Sequence, residues 1–462
     1  MTGFDLDRRD TICALATPAG SAAIAVLRAS GRDAEQILAR VFRRRREGAQ
    51  RPFVATLGVV FDASAADPEA APLDEALCVF FPGGQSYTGE PTFELSVHGG
   101  RSRVQSVLRS LVAAGCRLAE PGEFTLRAVL TGRLDLAAAE AVHDLVQART
   151  DEAARVALRQ LQGGLGERLE SVRTAVVDVL AEVEARLDFP DEELGESRTG
   201  ELLAQLDEAT LSCTRLLESV TLGRRLREGA RVVLYGLPNA GKSTLLNALL
   251  GETRALVHES PGTTRDVLEA EVEFVGIPVV LVDVAGVRDT TQVHPVEALG
   301  IERAERELAR ADLQLLVVDS GSPTADDEVT MLRQKARPDA LVVRSKAELR
   351  EGFIPDEPGV LAVSAHTAHN LDELRRQIAT RLGGDSRPAL DEVLLSRERQ
   401  REEVHRLRQG VIEAAIALRH GLPHEVVSSE LRSAGAALDR LLGRSLTEDV
   451  LDVVFSRFCI GK

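Results

Sequence analysis

The stretch RVVLYGLPNAGKSTLLNALL, residues 231–250, decides the fold of the middle of the chain. An apolar, strand-like run ends at Tyr235, and GLPNAGKST at 236–244 then matches the pattern G-x-x-x-x-G-K-[ST] of a phosphate-binding loop. Glycines let the backbone N–H groups of such a loop close around phosphates, and the helix that follows adds its positive dipole end. This order predicts a nucleotide site in which Lys242 reaches the β- and γ-phosphates and Ser243 binds Mg²⁺.

The residues from 229 to about 386 alternate between strand-like and helical segments. Near-continuous apolar strands that alternate with helices are typical of a parallel sheet covered on both faces. The predicted strands are 231–235, 277–283, 313–319, 340–344 and 359–363.

Two further segments follow at the spacing expected of a GTPase. DVAG at 283–286 ends an apolar strand, so Asp283 is placed to hold Mg²⁺ through water and Gly286 to offer its N–H to the γ-phosphate. In PGTTRD, residues 261–266, Thr264 is the candidate Mg²⁺ ligand that becomes ordered with the γ-phosphate. Each segment alone also fits an ordinary turn, and their position after the phosphate-binding loop favours the nucleotide role.

SKAE at 345–348 stands where a GTPase carries the guanine-reading sequence N-K-x-D. Lys346 is retained, Glu348 can accept the same two hydrogen bonds as Asp, and Ser345 lacks the amide of Asn. VSAH at 363–366 follows the next predicted strand and offers a backbone N–H to the guanine oxygen. The pattern favours guanine over adenine, held more weakly than by an intact N-K-x-D sequence.

Composition excludes several classes of protein. The 462 residues are 44% hydrophobic and 28% charged, which is ordinary for a globular chain of about three domains. The net charge of −16 argues against a protein coated in basic surface, although it leaves room for a local basic groove. The five scattered cysteines favour a reducing, cytoplasmic setting over a disulfide framework or a zinc site. The longest uncharged stretch, 11–27, is too short and too polar to span a bilayer, so no membrane association is expected.

The regions on either side of the alternating segment have different textures. Residues 1 to about 131 are mixed, with strand-like runs at 22–28, 57–61, 77–81 and 93–97 and a predicted helix at 101–114. Residues 133–228 and 388–462 are helix-rich. In the first helix-rich region one predicted helical stripe consists of Val172, Val176, Val177, Leu180, Val183 and Leu187, and Pro190 ends it.

Motifs outside the nucleotide site reveal a family resemblance over essentially the whole chain. The blocks DTICALATPAG (10–20), SYTGEPTFELSVHGG (86–100) and PGEFTLRAVLTGRLDLAAAEAV (121–142), together with LDFPDEE (187–193) and the terminal FSRFCIGK (455–462), resemble the MnmE (TrmE) family of bacterial tRNA-modification GTPases. The N-terminal blocks and the tail are specific, whereas many GTPases share the nucleotide motifs.

The resemblance implies a multidomain fold that is α/β plus all-α. An N-terminal α+β folate-binding and dimerisation domain is expected at 1–131, a Ras-like P-loop G domain at 229–386, and the helical domain that holds this insertion at 132–228 and 387–462. The implied protein is a cytoplasmic homodimer that works with MnmG, an FAD-binding partner, in a heterotetramer or larger complex. Together they add an aminomethyl or carboxymethylaminomethyl group to C5 of the wobble uridine of certain tRNAs.

The resemblance also implies that K⁺ stimulates GTP hydrolysis. Asn239 matches the asparagine that binds K⁺, while His258, Ser260 and Thr263 lie in the loop that completes the K⁺ site, mostly through backbone carbonyls. Such an ion takes the place of an arginine finger as the γ-phosphate leaves. The loop departs from the usual family run at 258–261, where a proline stiffens it.

Two residues are predicted to be catalytic. Lys242 is the phosphate-binding lysine, and Glu297 matches the family glutamate that orients the attacking water through a second water. An exposed glutamate at a helix start is the alternative for Glu297. The whole predicted nucleotide-binding set is Asn239, Ala240, Gly241, Lys242, Ser243, Thr244, His258, Glu259, Ser260, Pro261, Gly262, Thr263, Thr264, Asp283, Val284, Ala285, Gly286, Ser345, Lys346, Ala347, Glu348, Ser364, Ala365 and His366.

A second site is implied for 5-formyltetrahydrofolate. Arg28, Glu94, Arg133 and Lys462 match the family's folate-binding positions, with Arg133 standing where relatives carry Lys. Arg and Lys suit a glutamate tail or a formyl oxygen, and a Glu suits the amino and ring N–H groups of a pterin. Cys459, two residues before Gly461, fits either a small buried residue or a chemical role near the folate.

Two features leave alternatives open. The run Arg43–Arg46 is more often a solvated loop than a tRNA contact. A regulatory or ribosome-assembly GTPase switch is the alternative function, and an ATPase is a weaker one that only SKAE suggests. The folate-like N-terminal blocks and the CIGK tail argue against the switch.

Overall fold

A computed structural model describes residues 10–46, 51–65, 72–188, 198–251, 268–284, 295–349, 359–383 and 393–445, together with Val454, Phe455, Phe458 and Gly461. The chain divides into two compact units. Unit 1 consists of Met1–His143, Gln160–Leu202 and Glu413–Lys462, and unit 2 of Asp144–Arg159 and Leu203–Ile412. The four-part domain division remains a prediction.

One mixed sheet organises the N-terminal part of unit 1. Its described elements are β1 (Ile12–Leu15), β2 (Ile24–Ser30), α1 (Ala34–Val41), β3 (Phe42–Arg44), β4 (Thr56–Phe61), β5 (Pro72–Phe81), β6 (Thr92–His98), α2 (Arg101–Ala113) and β7 (Arg117–Leu118). The strand order is β3-β4-β5-β6-β2-β1-β7. All neighbouring strands are antiparallel except β1 and β7, which are parallel.

The two faces of this sheet differ in burial because side chains alternate along each strand. Ala76, Cys78 and Phe80 of β5 are buried in one core with the apolar residues of α1 and α2. Leu77 of β5 lies directly opposite Leu57 of β4, and these two side chains are 46% and 44% exposed on the other face. That face therefore presents apolar surface.

The sequence predicted most, but not all, of this sheet. The strand-like runs correspond to β2, β4, β5 and β6, and the predicted helix corresponds to α2. Three strands were missed. β1 spans only four residues and β7 two, and the sequence of β3 is FRR, which has no apolar alternation.

Helices follow the sheet along the chain. They are α3 (Glu123–Leu130), α4 (Leu136–Gln147), α5 (Asp151–Leu161), α6 (Gly164–Asp188), α7 (Thr199–Glu218) and α8 (Val220–Glu228). The buried stripe of α6 contains Val172, Val176 and Val183 as predicted, but the assignment of Val177 is wrong because it is 47% exposed. Val179 occupies the stripe instead, as the 3.6-residue period requires. The predicted break at Pro190 lies outside the described residues.

Unit 2 contains the second sheet. Its described elements are β8 (Ala230–Tyr235), α9 (Lys242–Leu250), β9 (Leu268–Phe274), β10 (Ile277–Asp283), α10 (Pro295–Arg310), β11 (Leu313–Asp319), α11 (Ala325–Lys335), β12 (Leu341–Ser345), β13 (Val360–Ala362) and α12 (Leu371–Leu382). The order is β13-β12-β11-β8-β10-β9. Both faces are buried, since Val232 and Leu234 of β8 belong to one core cluster and Val233 and Tyr235 to another.

The predicted parallel sheet is correct for five strands and incomplete at one edge. β9 pairs antiparallel with β10, through a hairpin whose turn residues Val275 and Gly276 have φ of 52° and 84°. Such left-handed pairs are typical of two-residue hairpin turns. β9 was not predicted because Glu269, Glu271 and Glu273 interrupt the continuous apolar run that marks the other strands of this sheet, a composition that suits an edge strand.

Two long helices follow the second sheet, α13 (Glu398–Arg419) and α14 (His424–Leu442). Helix α14 packs along α6 in unit 1. Within the described ranges, none of the helices is long and apolar enough to cross a bilayer.

Candidate functional site

The phosphate-binding loop connects β8 to α9 and depends on two backbone features. A Cβ atom at Gly236 would lie 2.1 Å from the carbonyl oxygen of Val317 on β11, so the neighbouring strand leaves room only for glycine. Asn239 and Gly241 have φ of 63° and 87°, a left-handed conformation that glycine and asparagine tolerate best. The sequence therefore folds this loop into a tight turn that ends at the first residue of the helix.

Lys242 lies inside the loop. Its Nζ donates hydrogen bonds to the carbonyl oxygens of Gly236 at 3.1 Å and Leu237 at 3.0 Å, and the residue is 7% exposed. Burial lowers the pKa of this ammonium, and the Asp283 carboxylate partly opposes that shift. Among the residues that the structure describes, carbonyl oxygens are the hydrogen-bond acceptors of this ammonium, which suits an anionic ligand because phosphate oxygens are stronger acceptors.

The Mg²⁺ candidates Ser243 and Asp283 meet at the mouth of the loop. The Oγ of Ser243 donates a hydrogen bond of 2.5 Å to Oδ2 of Asp283, which is the last residue of β10. A hydroxyl and a carboxylate are the hard oxygen ligands that Mg²⁺ prefers, so these two residues fit the ion directly or through water. Val284 follows on the buried side, and Thr244 is exposed in the first turn of α9.

Ser345 at the end of β12 lies against the phosphate-binding loop. Its Oγ lies 2.6 Å from the carbonyl oxygen of Ala240 and 3.2 Å from that of Val318. Serine lacks the amide of asparagine, but its hydroxyl makes a contact that the sequence analysis did not consider. The hydroxyl still ties the base loop to the phosphate-binding loop, by donating its single proton to a buried carbonyl.

Lys346 is held by a residue that the sequence analysis did not identify. Its Nζ donates to the carbonyl oxygen of Asn239 at 2.9 Å and forms a 2.6 Å ion pair with Oδ2 of Asp319 at the end of β11. Burial opposes ionisation of Asp319, but Lys346 and the backbone N–H of Gly321 outweigh it and hold the pKa below the usual range. Its position as the last residue of a predicted apolar strand was the one signal for Asp319 in the sequence.

The remaining base-loop candidates lie next to one another. The backbone N–H of Ala347 donates to Val363 at 3.2 Å, which brings SKAE beside VSAH. The hydroxyl of Ser364 donates to Glu348 and lowers the pKa of that carboxyl. Glu348 is exposed and thus available to a ligand edge, as are Ala365 in part and His366 fully.

Several predicted residues cannot be compared with the structure. Glu297 lies in the first turn of α10, but its side chain is outside what the structure describes. The other predicted nucleotide and K⁺ residues outside the described residues are His258, Glu259, Ser260, Pro261, Gly262, Thr263, Thr264, Ala285 and Gly286. Their roles remain predictions.

The candidate folate residues Arg28 and Glu94 form an ion pair across neighbouring strands. They face each other on β2 and β6, and Nε and Nη2 of Arg28 lie 2.9 and 2.7 Å from Oε1 of Glu94. The guanidinium carbon lies 5.6 Å from the ring centroid of Tyr87 and 5.7 Å from that of Phe124. Aromatic faces around a charged pair suit a flat, polar heterocycle such as a pterin.

The loop that carries Tyr87 is fixed by buried polar contacts. The hydroxyls of Ser30 and Thr88 are 2.6 Å apart and both residues are fully buried. Arg127 holds Glu90 of the same loop through Nη1 at 3.1 Å. The sequence analysis missed this network because its members are 37 to 60 residues apart.

Arg133 and the C-terminal tail lie in the same unit as that pair. A Cβ atom at Gly89 would lie 3.1 Å from the Cγ of Arg133, so Arg133 borders the loop of Tyr87. Gly461 packs on β1, since its Cβ would lie 2.4 Å from the carbonyl oxygen of Leu15. Cys459 and Lys462 are outside the described residues.

Comparisons with known proteins match the chain along its length. The family models described as "MnmE helical domain" and "GTP-binding protein TrmE N-terminus" match residues 136–459 and 11–133. A protein of Chloroflexus aurantiacus named "tRNA modification GTPase MnmE" is 42% identical over 466 residues, covering 98% of this chain and 100% of its own. Proteins with the same name from Symbiobacterium thermophilum and Geobacter sulfurreducens are 41% and 39% identical, each covering 98% of this chain and 99% of its own.

The substitution Asp319→Asn is expected to weaken GDP binding roughly fivefold, because a partly buried ion pair that positions Lys346 contributes about 1 kcal/mol. Isothermal calorimetry with GDP measures it. Asp372→Asn is the matched control, since Asp372 is an exposed carboxylate on α12 paired with Arg375. An Asp319→Asn protein that binds GDP as tightly as the Asp372→Asn control contradicts the assignment.

Proposed function

The chain belongs to the MnmE family of tRNA modification GTPases, and we propose that it is a potassium-stimulated GTPase that modifies the wobble uridine of certain tRNAs together with an FAD-binding partner. The proposed product carries an aminomethyl or carboxymethylaminomethyl group at C5 of that uridine. The observation that carries the proposal is the buried Lys242 beside the Ser243–Asp283 pair, within a chain that matches these relatives from end to end.

The geometry supports a specific sequence of contacts on GTP binding. Lys242 exchanges the carbonyl oxygens of Gly236 and Leu237 for oxygens of the β- and γ-phosphates. The hydroxyl of Ser243 and the carboxylate of Asp283, which are hydrogen-bonded to each other here, would hold Mg²⁺, Asp283 through water. When bound, Mg²⁺ supplies positive charge that neutralises the phosphates.

The segment SKAE, residues 345–348, is proposed to recognise the base beside the phosphate-binding loop. Ser345 and Lys346 fix the base loop to the phosphate-binding loop before any ligand arrives, which lowers the entropic cost of binding. Glu348 then accepts the two guanine N–H groups, releasing the hydroxyl of Ser364. An adenine would present an acceptor nitrogen and no matching donors to this carboxylate.

Stimulation by K⁺ is proposed from Asn239. Its side chain is exposed on the phosphate-binding loop, and its backbone carbonyl is tied to Lys346. A side-chain amide oxygen fixed at that point fits an alkali cation next to the phosphates, together with carbonyls of His258, Ser260 and Thr263. Glu297 is proposed to orient the attacking water, because it lies in the first turn of α10, the helix that follows DVAG at 283–286.

The N-terminal sheet is proposed to bind 5-formyltetrahydrofolate and to form the homodimer. Arg28 and Glu94 support the folate site through their charges and aromatic neighbours, with Arg133 and Lys462 as further ligands. The exposed pair Leu57 and Leu77 supports dimerisation, because apolar side chains on an uncovered sheet face gain by burial against a second copy. The dimer is proposed to join the FAD-binding partner MnmG in a heterotetramer or larger complex in the cytoplasm.

The proposed chemistry predicts that GTP hydrolysis is faster in KCl than in NaCl, since K⁺ adds positive charge where the γ-phosphate leaves. Asn239→Ala is expected to remove the difference between the two salts. Lys242→Ala is expected to lower hydrolysis at least a hundredfold in both. Phosphate release from GTP and from ATP, measured at equal ionic strength, tests all three statements.

Lys335→Ala is the matched control for the lysine variant, because Lys335 is exposed at the end of α11 in the same unit. It should hydrolyse GTP at the parent rate. Equal rates in the two salts for the parent protein contradict K⁺ stimulation, and equal rates with ATP and GTP contradict the guanine assignment.

The packing of Gly461 predicts that the tail contributes to the folate site. Gly461→Ala is expected to displace the tail from β1, because the added Cβ meets the Leu15 carbonyl and because φ is 98°. Binding of 5-formyltetrahydrofolate should weaken at least tenfold by calorimetry, while GTP hydrolysis stays at the parent rate.

Gly435→Ala serves as its control, since a Cβ at this position on α14 meets no atom within 4 Å. Folate affinity that is the same in both alanine variants would show that the tail takes no part in the site.

A further inference from the structure

A dense cluster of arginines lies at one end of the N-terminal sheet. Six arginines and one glutamate occupy residues 40–51, in a chain whose net charge is −16. Arg43 and Arg44 lie in β3, the edge strand of this sheet. In β3, Arg44 pairs with Gly58 of β4, and the backbone N–H of Arg45 donates to Leu57 at 3.2 Å.

Three of these arginines differ from the others in their side-chain contacts. Arg45 forms an ion pair with Glu75, and Arg43 donates to the carbonyl oxygen of Ala39. By contrast, Arg44, Arg46 and Arg51 form no hydrogen bond or ion pair through their side chains among the residues that the structure describes. Arg46 and Arg51 are exposed, and Arg44 is partly exposed. We call these three residues the arginine edge.

The segment that follows Arg51 is fixed against the end of β5. The backbone N–H of Phe53 donates to the carbonyl oxygen of Phe80 at 2.9 Å. The rings of Phe53 and Phe81 pack edge-on with their centroids 5.8 Å apart. Phe53 has a φ of 60°, which is rare for an aromatic residue and persists only where neighbours enforce it. If the β3–β4 register is continued, Arg46 lies opposite Thr56. Thr56 is five residues after Arg51 in the sequence.

The same end of the sheet carries the candidate folate pair. β5 ends at Phe81, which pairs with Thr92 at the start of β6, and Thr92 pairs with Ser30 at the end of β2. Arg28 precedes Ser30 by two residues on that strand. Four strand spacings separate β3 from β2, so Arg44 and Arg46 lie about 19 Å across the sheet from the folate pair.

We propose that the arginine edge binds phosphates of the tRNA substrate, an inference that rests on the proposed function. Guanidinium groups suit phosphate because they are planar, permanently charged and able to form two hydrogen bonds at once. Contacts of this kind position a nucleic acid without reading its sequence. The acidic remainder of the chain repels RNA, which favours docking at this edge.

The test compares two triple variants of the full-length protein. Arg44→Gln, Arg46→Gln and Arg51→Gln together remove the arginine edge. The control, Arg155→Gln, Arg168→Gln and Arg333→Gln, makes the same change of charge at exposed arginines on α5, α6 and α11. A fluorescent anticodon stem-loop RNA with uridine at the wobble position is titrated at several salt concentrations.

The edge variant should bind at least tenfold more weakly than the control at low salt. The slope of log K against log salt should fall by about 2, since each lost phosphate contact removes roughly 0.7 to 0.9. GTP hydrolysis and the molar mass in sedimentation should equal those of the control.

Two results would overturn the inference while leaving the proposed function intact. One is equal RNA affinity and slope in the two variants. The other is an edge variant that sediments at half the mass, which would make this edge a contact between copies of the chain. If the parent protein binds no tRNA at all, with or without nucleotide, the tRNA-directed function fails together with the inference.

Discussion

The nucleotide site depends on how closely β11 passes the start of the phosphate-binding loop. Val317 leaves no room for a side chain at Gly236, so the chain must turn there, and the turn closes through the left-handed Asn239 and Gly241. The loop built on this constraint holds the ammonium of Lys242 among carbonyl oxygens. β11 itself ends at Asp319, which holds Lys346. One close approach of two parallel strands therefore fixes both the phosphate and the base sides of the site.

In the N-terminal part of unit 1, ion pairs between side chains join neighbouring strands and hold loops in place. Arg28 and Glu94 join neighbouring strands, while Arg127 fixes the loop that carries an aromatic neighbour of that pair. The chain's last described residue, Gly461, packs on β1. The register of β1 places Leu15 one residue from Ala14, the partner of Arg28. Gly461 and Arg28 therefore lie on or beside the same strand, although they are more than 430 residues apart in sequence.

Sequence reasoning succeeded where a function imposes a local pattern. Short motifs with fixed spacing predicted the phosphate-binding loop, the strand before it and Asp283. The sequence blocks that resemble the MnmE family extended the fold prediction to the whole chain. It failed where the outcome depends on distance in space. Whether Ser345 can replace an asparagine is decided by its 2.6 Å separation from the Ala240 carbonyl, and Asp319 gains its role only through a lysine 27 residues away. β9 was missed because an edge strand with alternating glutamates lacks the apolar run of a central strand.

The central claim is that this GTPase acts on tRNA, and nucleoside analysis of tRNA tests it most directly. Total tRNA is hydrolysed and analysed by mass spectrometry from a strain that lacks the protein, and from the same strain carrying either the parent gene or its Lys242→Ala variant. We expect C5-aminomethylated or carboxymethylaminomethylated uridine to be absent from the deletion strain, restored by the parent gene and not restored by Lys242→Ala. Unchanged levels of these nucleosides in the deletion strain would contradict the account.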